Sequence, residues 1–280
     1  GHKHLLAYLV RRLLENGANS SFVNRIVDES LPIDDLIEDP VAKAVSHGYG
    51  QHPNIPLPKD IVAPRVNSNG HNIFDVEVLD GMFNSIDTFS SKTNYIVKPL
   101  VTDAVLDDLS AEKITNPNDN SIIGCVYNAN VEIANLAMDN ANKYFKVWNN
   151  TPANERAYIL DKFSDSLEAN TNELIAIAMI EAGKTLSNAI DEVREAVDFC
   201  RYYAAQAREE FSGPIDIPSL ANNIKQIEFS GRGPMVCISP WNFPLAIFIG
   251  QITAVLATGN TVVAKPAEQS PIIAYRAIEL

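Results

Sequence analysis

Two sets of side chains in this 280-residue sequence have types and spacing suited to chemistry. Near the amino end, Tyr8, Arg11, Arg12 and Glu15 are separated by steps of three and four, so on a helix all four share one face. Two adjacent guanidiniums repel unless an anion compensates them, and a guanidinium fork matches a carboxylate in bidentate geometry. Such a cluster can grip a small carboxylic acid, with the Tyr8 phenol covering its apolar part. The same spacing suits a solvated face on which the arginines pair with Glu15. Spacing alone leaves both readings open.

The second set lies toward the carboxyl end. Pro240-Trp241-Asn242-Phe243-Pro244 separates two apolar stretches, and the last β-branched run ends in Lys265-Pro266-Ala267-Glu268. Asn242 carries a neutral N–H2 donor of the kind that stabilises a developing oxyanion, and Lys265 and Glu268 can bind the hydroxyls of a ribose. A packed proline turn and a surface ion pair would use the same residues.

These side chains need elements to position them. Leu6, Leu9, Val10, Leu13 and Leu14 predict a helix over Leu5–Glu15, stopped by Gly17, and a second helix is expected from Ser20 or Ser21 with Phe22, Val23, Ile26 and Val27. Four prolines between Pro53 and Pro64 disrupt regular structure, and Asn67–Ser91 is punctuated by Asn, Gly, Ser and Asp, so this region is expected to be linker. A β-branched run at Ser121–Tyr127 precedes helices over Val131–Trp148, from Thr151 with Thr151 as the cap and Pro152 first, and over Asn172–Ala182 ended by Gly183. Val193, Val197, Cys200, Ala204, Ala207 and Phe211 form one stripe on a long helix. Met235–Ser239, Pro244–Leu256 and Thr261–Lys265 read strand, helix, strand, the pattern of a parallel βαβ unit that places ligands at the carboxyl ends of its strands.

Bulk properties narrow the function. With 46% hydrophobic and 20% charged residues, the chain can build a sizeable core. A formal charge of -13 disfavours nucleic acid and anionic lipid as partners of this segment. No apolar run approaches the ~20 residues that span a bilayer, and the first ten residues lack the order of a secretory signal, so a cytoplasmic location is expected. Cys125, Cys200 and Cys237 form no CxxC or metal-ligand spacing, and their apolar surroundings mark them as structural. No metal is expected.

The string YLVRRLLENGANSSFVNRI, Tyr8–Ile26, resembles the end of the proline dehydrogenase barrel in the proline utilization A family. The resemblance implies that Arg11 and Arg12 bind the proline carboxylate, that Tyr8 packs on the proline ring, and that Glu15 lies near FAD. HPNIPLPKDI and RVNSNG resemble that family's connection between its two enzymes. ISPWNFPLAIF, GNTVVAKPAEQSP, ERAYILDKF, EAGKT and EVREAVDFCRYYA resemble the aldehyde dehydrogenase superfamily, which lacks GxGxxG. That likeness implies Asn242 in the oxyanion hole, Lys265 and Glu268 on the adenosine ribose of NAD, and Ile238, Pro240 and Trp241 lining the cofactor cleft.

The expected fold is therefore α/β: residues 1–52 as the end of a (β/α)8 barrel, 53–115 as linker, and 116–280 as the incomplete amino-terminal part of a Rossmann-like NAD-binding domain. The implied parent oxidises L-proline with FAD and then glutamate semialdehyde with NAD. Its small-molecule substrates are its expected partners, and homo-oligomerisation is left open. A closed barrel takes on the order of 250 residues, and the nucleophile and base of aldehyde oxidation are expected beyond Leu280. The fragment alone is thus expected to be inactive toward aldehydes. Two competing readings are a monofunctional aldehyde dehydrogenase parent and a non-catalytic interaction module.

Overall fold

A computed structural model describes residues 25–46, 48–50, 55–91, 94–217 and 225–280. The chain divides into two compact units, Gly1–Pro56 and Leu57–Leu280. The helix expected over Leu5–Glu15 and the start of the next one lie outside the described residues. Within the first unit, two short helices are described, α1 (Ile33–Leu36) and α2 (Pro40–Ser46), and neither buries a residue.

The second unit opens with regular structure where none is legible in the sequence. Asn67–Ser91, expected to be linker, contains the helix α3 (Val76–Ser90). Asp75 caps it by accepting hydrogen bonds from the N–H groups of Glu77 and Val78. Met82 and Ile86, four apart, are buried in the main core. Polar residues on the outer face of α3 mask this stripe in the sequence. Two strands follow within the same expected linker, β1 (Tyr95–Val97) and β2 (Ala111–Thr115). Both pair with β3 (Ile122–Tyr127), β1 in parallel and β2 antiparallel, giving the order β1-β3-β2.

Four helices come next: α4 (Val131–Asn150), α5 (Ala153–Ala169), α6 (Thr171–Ala182) and α7 (Leu186–Glu210). Thr151 does not cap α5 as expected. Its N–H bonds to Trp148 and its hydroxyl to Val147, so it closes α4, while Pro152 occupies the N-cap of α5. Gly183 ends α6 at φ 64°, the left-handed conformation that glycine adopts without a Cβ clash. Leu174 through Ala178 have no solvent exposure, so α6 is the central element of the core and is apolar all round. On α7 the expected stripe is buried at Val193, Val197, Cys200, Ala204 and Ala207, against α5 on one side and α8 on another, whereas its last member, Phe211, falls at the C-cap beyond the helix and is only half-buried.

A short antiparallel pair, β4 (Ile215–Ile217) and β5 (Lys225–Ile227), precedes the final βαβ unit. There β6 (Pro234–Ile238), α8 (Ala246–Ala257) and β7 (Thr261–Lys265) alternate, and the strands run parallel in register from Pro234↔Thr261 to Ile238↔Lys265. The helix α9 (Pro271–Glu279) follows. The amino ends of both strands converge tightly. A Cβ on Gly231 would lie 2.5 Å from the Gly259 carbonyl oxygen, and the Asn149 side chain accepts the Gly231 N–H there at 2.6 Å. The buried Arg156 holds the same end by donating to the carbonyls of Ala257, Asn149 and Thr151, which lie at the negative ends of α8 and α4.

Candidate active site

At the opposite, carboxyl end of β6 and β7, the Ser239 N–H bonds to the Lys265 carbonyl at 3.2 Å and closes the strand pair. The next five residues form the Pro240–Pro244 turn. Trp241, Asn242 and Phe243 are exposed, whereas Pro244 and Leu245 are buried, so the turn is anchored from its helix side. Leu245 takes the N-cap position of α8 but offers no side-chain acceptor. The Glu192 carboxylate, reaching across from α7 and 1% exposed, accepts the N–H groups of Leu245 and Ala246 at 3.1 and 3.2 Å through Oε2. Its Oε1 accepts from the Lys184 ammonium at 3.0 Å. Lys184 also lies over the Phe243 ring, 4.5 Å from its centroid.

Lys265 and Glu268 stand beside this turn. They form an ion pair of 2.5 Å with side chains 46% and 69% exposed. The hydrogen bond from Lys265 holds the Glu268 carboxyl below the usual carboxylate range. An adjacent donor and acceptor, both open to solvent, suit a vicinal diol, whose hydroxyls can give one proton to the carboxylate and accept one from the ammonium. Ile238 and Trp241 present exposed apolar surface at the same edge, 64% and 61%, and Pro240 is half-buried. The Ile238 carbonyl is held by the Gln251 side-chain N–H2 at 3.3 Å. The edge thus offers exposed apolar surface beside an ion pair whose donor and acceptor are open to a hydroxyl-bearing ligand.

Ile238 ends β6 with Pro240, Trp241 and Asn242 after it, and Lys265 ends β7 with Glu268 after it, so the site residues expected near the carboxyl end all come from the carboxyl ends of the two paired strands. Tyr8, Arg11, Arg12 and Glu15 lie outside the described residues. The Lys184–Glu192 pair is not among the residues that spacing singles out. Both lie within strings that carry the aldehyde dehydrogenase likeness, Lys184 in EAGKT and Glu192 in EVREAVDFCRYYA, but nothing in their spacing pairs them or joins them to the turn.

A second buried carboxylate follows the same device. Glu181 accepts the N–H groups of Ile272 and Ile273 at 2.6 and 2.9 Å, capping α9, and burial pushes its carboxyl up to about 8. Of the cysteines, Cys200 is fully buried and burial pushes its thiol up to about 12; burial raises Cys237 as well. Neither has the lowered pKa of a thiolate nucleophile. Among the described residues, no cluster of His, Cys, Asp and Glu could hold a metal ion, and no helix is long and apolar enough to cross a membrane.

A parallel βαβ unit with an amide-bearing turn and a solvent-open Lys265–Glu268 ion pair at its carboxyl end is of the α/β class, in which ligands sit outside the carboxyl ends of the strands. The chain belongs to the aldehyde dehydrogenase family, whose model matches residues 105–280, and the proline dehydrogenase model matches residues 1–25. Over its whole length it is 43% identical to the bifunctional protein PutA of Salmonella typhimurium and 44% identical to that of Escherichia coli, and it spans 21% of each. A crystal structure of proline utilization A from Bradyrhizobium japonicum superposes with a TM-score of 0.75 at 40% identity, covering 99% of this chain and 25% of that one. A 1-pyrroline-5-carboxylate dehydrogenase from Thermus, with bound NAD, superposes with a TM-score of 0.71 at 28% identity, covering 78% of this chain and 43% of that one. The family match begins at residue 105, ahead of the expected boundary at 116 and within the stretch expected to be linker.

Proposed function

We propose that the longer protein carrying this chain is a bifunctional proline-catabolic enzyme, oxidising L-proline to pyrroline-5-carboxylate and then glutamate semialdehyde to glutamate. The observation that carries the second activity is the placement of Asn242, Lys265 and Glu268 on one edge of the parallel β6–β7 pair. Support for the first comes from the likeness of residues 1–25 to proline dehydrogenase and from the full-length similarity to PutA proteins.

In this reading Lys265 and Glu268 hold the adenosine ribose of NAD, while Ile238, Pro240 and Trp241 wall the cleft. NAD supplies the hydride acceptor. A thiolate from outside these residues attacks the aldehyde carbon, and the Asn242 N–H2 donates to the carbonyl oxygen as negative charge builds on it. A donor of this kind contributes about 3 kcal/mol to the transition state. Arg11 and Arg12 clamp the proline carboxylate and Tyr8 covers its ring, within the end of a barrel whose other segments bind FAD, with Glu15 in the vicinity of that site. FAD supplies the electron acceptor for proline oxidation. The 280 residues alone are inactive toward aldehydes.

The test is proline-dependent NADH formation by the full-length protein. Asn242→Ala is expected to lower semialdehyde oxidation by about 10²-fold or more, Lys265→Ala to weaken NAD binding, and Arg11→Ala to abolish proline oxidation while sparing the semialdehyde step. Full semialdehyde activity in Asn242→Ala, or full proline activity in Arg11→Ala, would refute the corresponding assignment.

A further inference from the structure

We infer that the buried Lys184–Glu192 ion pair is a positioning device for Asn242, an inference that rests on reading the Pro240–Pro244 turn as the oxyanion-binding turn. The turn itself has little to hold it in place. Trp241, Asn242 and Phe243 are exposed, and α8 starts without a side-chain cap of its own. Orientation must therefore come from outside the turn.

Two contacts provide it, and they flank Asn242 on its helix side. Glu192 Oε2 fixes the N–H groups of Leu245 and Ala246, three and four residues after Asn242, and Lys184 sits on the ring of Phe243, the residue directly after it. The two side chains are joined to each other through Glu192 Oε1, so α7, the segment between α6 and α7, and the start of α8 are fixed by one buried unit. A buried ion pair is a poor device for stability alone, since well-packed apolar residues of the same volume often do as well or better. Here the carboxylate does what no apolar residue can, satisfying two N–H groups at the first turn of α8. The ammonium in turn balances the charge of the buried carboxylate.

A displacement of about 1 Å in a reacting constellation lowers rates on the order of 10²-fold, so loosening this unit should act on turnover. The experiment is a double-mutant cycle in the full-length enzyme, measuring semialdehyde oxidation at saturating NAD. Glu192→Ala is expected to lower kcat by about 10- to 100-fold with the KM for NAD changed less than about twofold. Added to Asn242→Ala, it should lower kcat by less than about threefold more, because a residue that acts through Asn242 has nothing further to lose once the amide is gone. Glu192→Gln keeps the shape and one acceptor, and a thermal melt matching the wild type separates turnover from folding. It should show the same non-additivity with a smaller loss. Equal losses with and without Asn242, or a wild-type kcat in both Glu192 variants while Asn242→Ala is impaired, would overturn the inference. If Asn242→Ala alone keeps full activity, the reading of the turn fails and the inference falls with it.

Discussion

Replacing Glu181 by Gln should remove a pH dependence of stability that the fold imposes on this chain. Glu181 is 4% exposed at the end of α6, with each carboxylate oxygen accepting one N–H from the first turn of α9. Burial raises its carboxyl from 4.5 to about 8, and the two hydrogen bonds offset only part of that rise. Glu173, at the other end of α6, is by contrast neutralised, held bidentate by Arg276 at 3.1 and 3.0 Å. Tyr95 faces both carboxylates, and its hydroxyl is pushed up to about 12 by burial first and then by Glu173 and Glu181.

The sign follows from proton binding. Between pH 4.5 and about 8 the folded chain holds a proton on Glu181 that the unfolded chain has released, so stability falls as pH rises through this window. A tenfold change in an acid dissociation constant corresponds to about 1.4 kcal/mol, so the stability lost across the window is on the order of 4–5 kcal/mol. Glutamine resembles the protonated acid in shape and neutrality. Its N–H2, however, replaces one of the two accepting oxygens and meets an α9 N–H donor to donor, so below pH 4.5 the variant should be the less stable by about 1–3 kcal/mol, and this gap should close or reverse above pH 8. Urea midpoints followed by far-ultraviolet circular dichroism at pH 4.5, 7 and 9 measure this directly, since other titrating groups cancel in the difference. Parallel stability profiles for wild type and variant would refute the reasoning.

Two more expectations concern packing and reactivity. A Cβ on Gly124 would lie 2.5 Å from the Tyr95 carbonyl oxygen, so Gly124→Ala must push β1 away from β3, and a loss of about 2 kcal/mol or more in chemical denaturation is expected. Cys200 and Cys237 are buried with raised thiols, so a thiol reagent at pH 8 should leave both unmodified in the folded chain and label all three cysteines in denaturant. Rapid labelling of Cys200 in the native state would contradict the packing of α7.

The legible parts of the sequence are those where one local rule dominates. The stripe on α7 follows helical spacing, Gly183 marks the end of α6, and the two apolar runs on either side of α8 form the parallel β6–β7 pair in register. The region before residue 116 is obscured because its signals are mixed. Apolar residues of α3 alternate with Asn, Ser and Asp on its outer face, and β1 has only three residues, too few for a periodicity. Thr151 closes α4 instead of opening α5 because a hydroxyl beside a proline suits the end of one helix as well as the start of the next.

The site divides along the same line. Residue identity determined the chemistry available, namely the amide of Asn242, the ammonium of Lys265 and the carboxylate of Glu268, since donor and acceptor character belongs to the side chain itself. Its location at a strand edge also followed from the sequence, because an apolar strand, a helix and a second apolar strand pair in parallel and expose their carboxyl ends. Only the tertiary structure decided what supports the site. Glu192 lies 53 residues from Leu245, and Glu181 lies 91 from Ile272. Whether such a carboxylate faces water or an unsatisfied helix end depends on how α6, α7, α8 and α9 pack, and no local pattern encodes that.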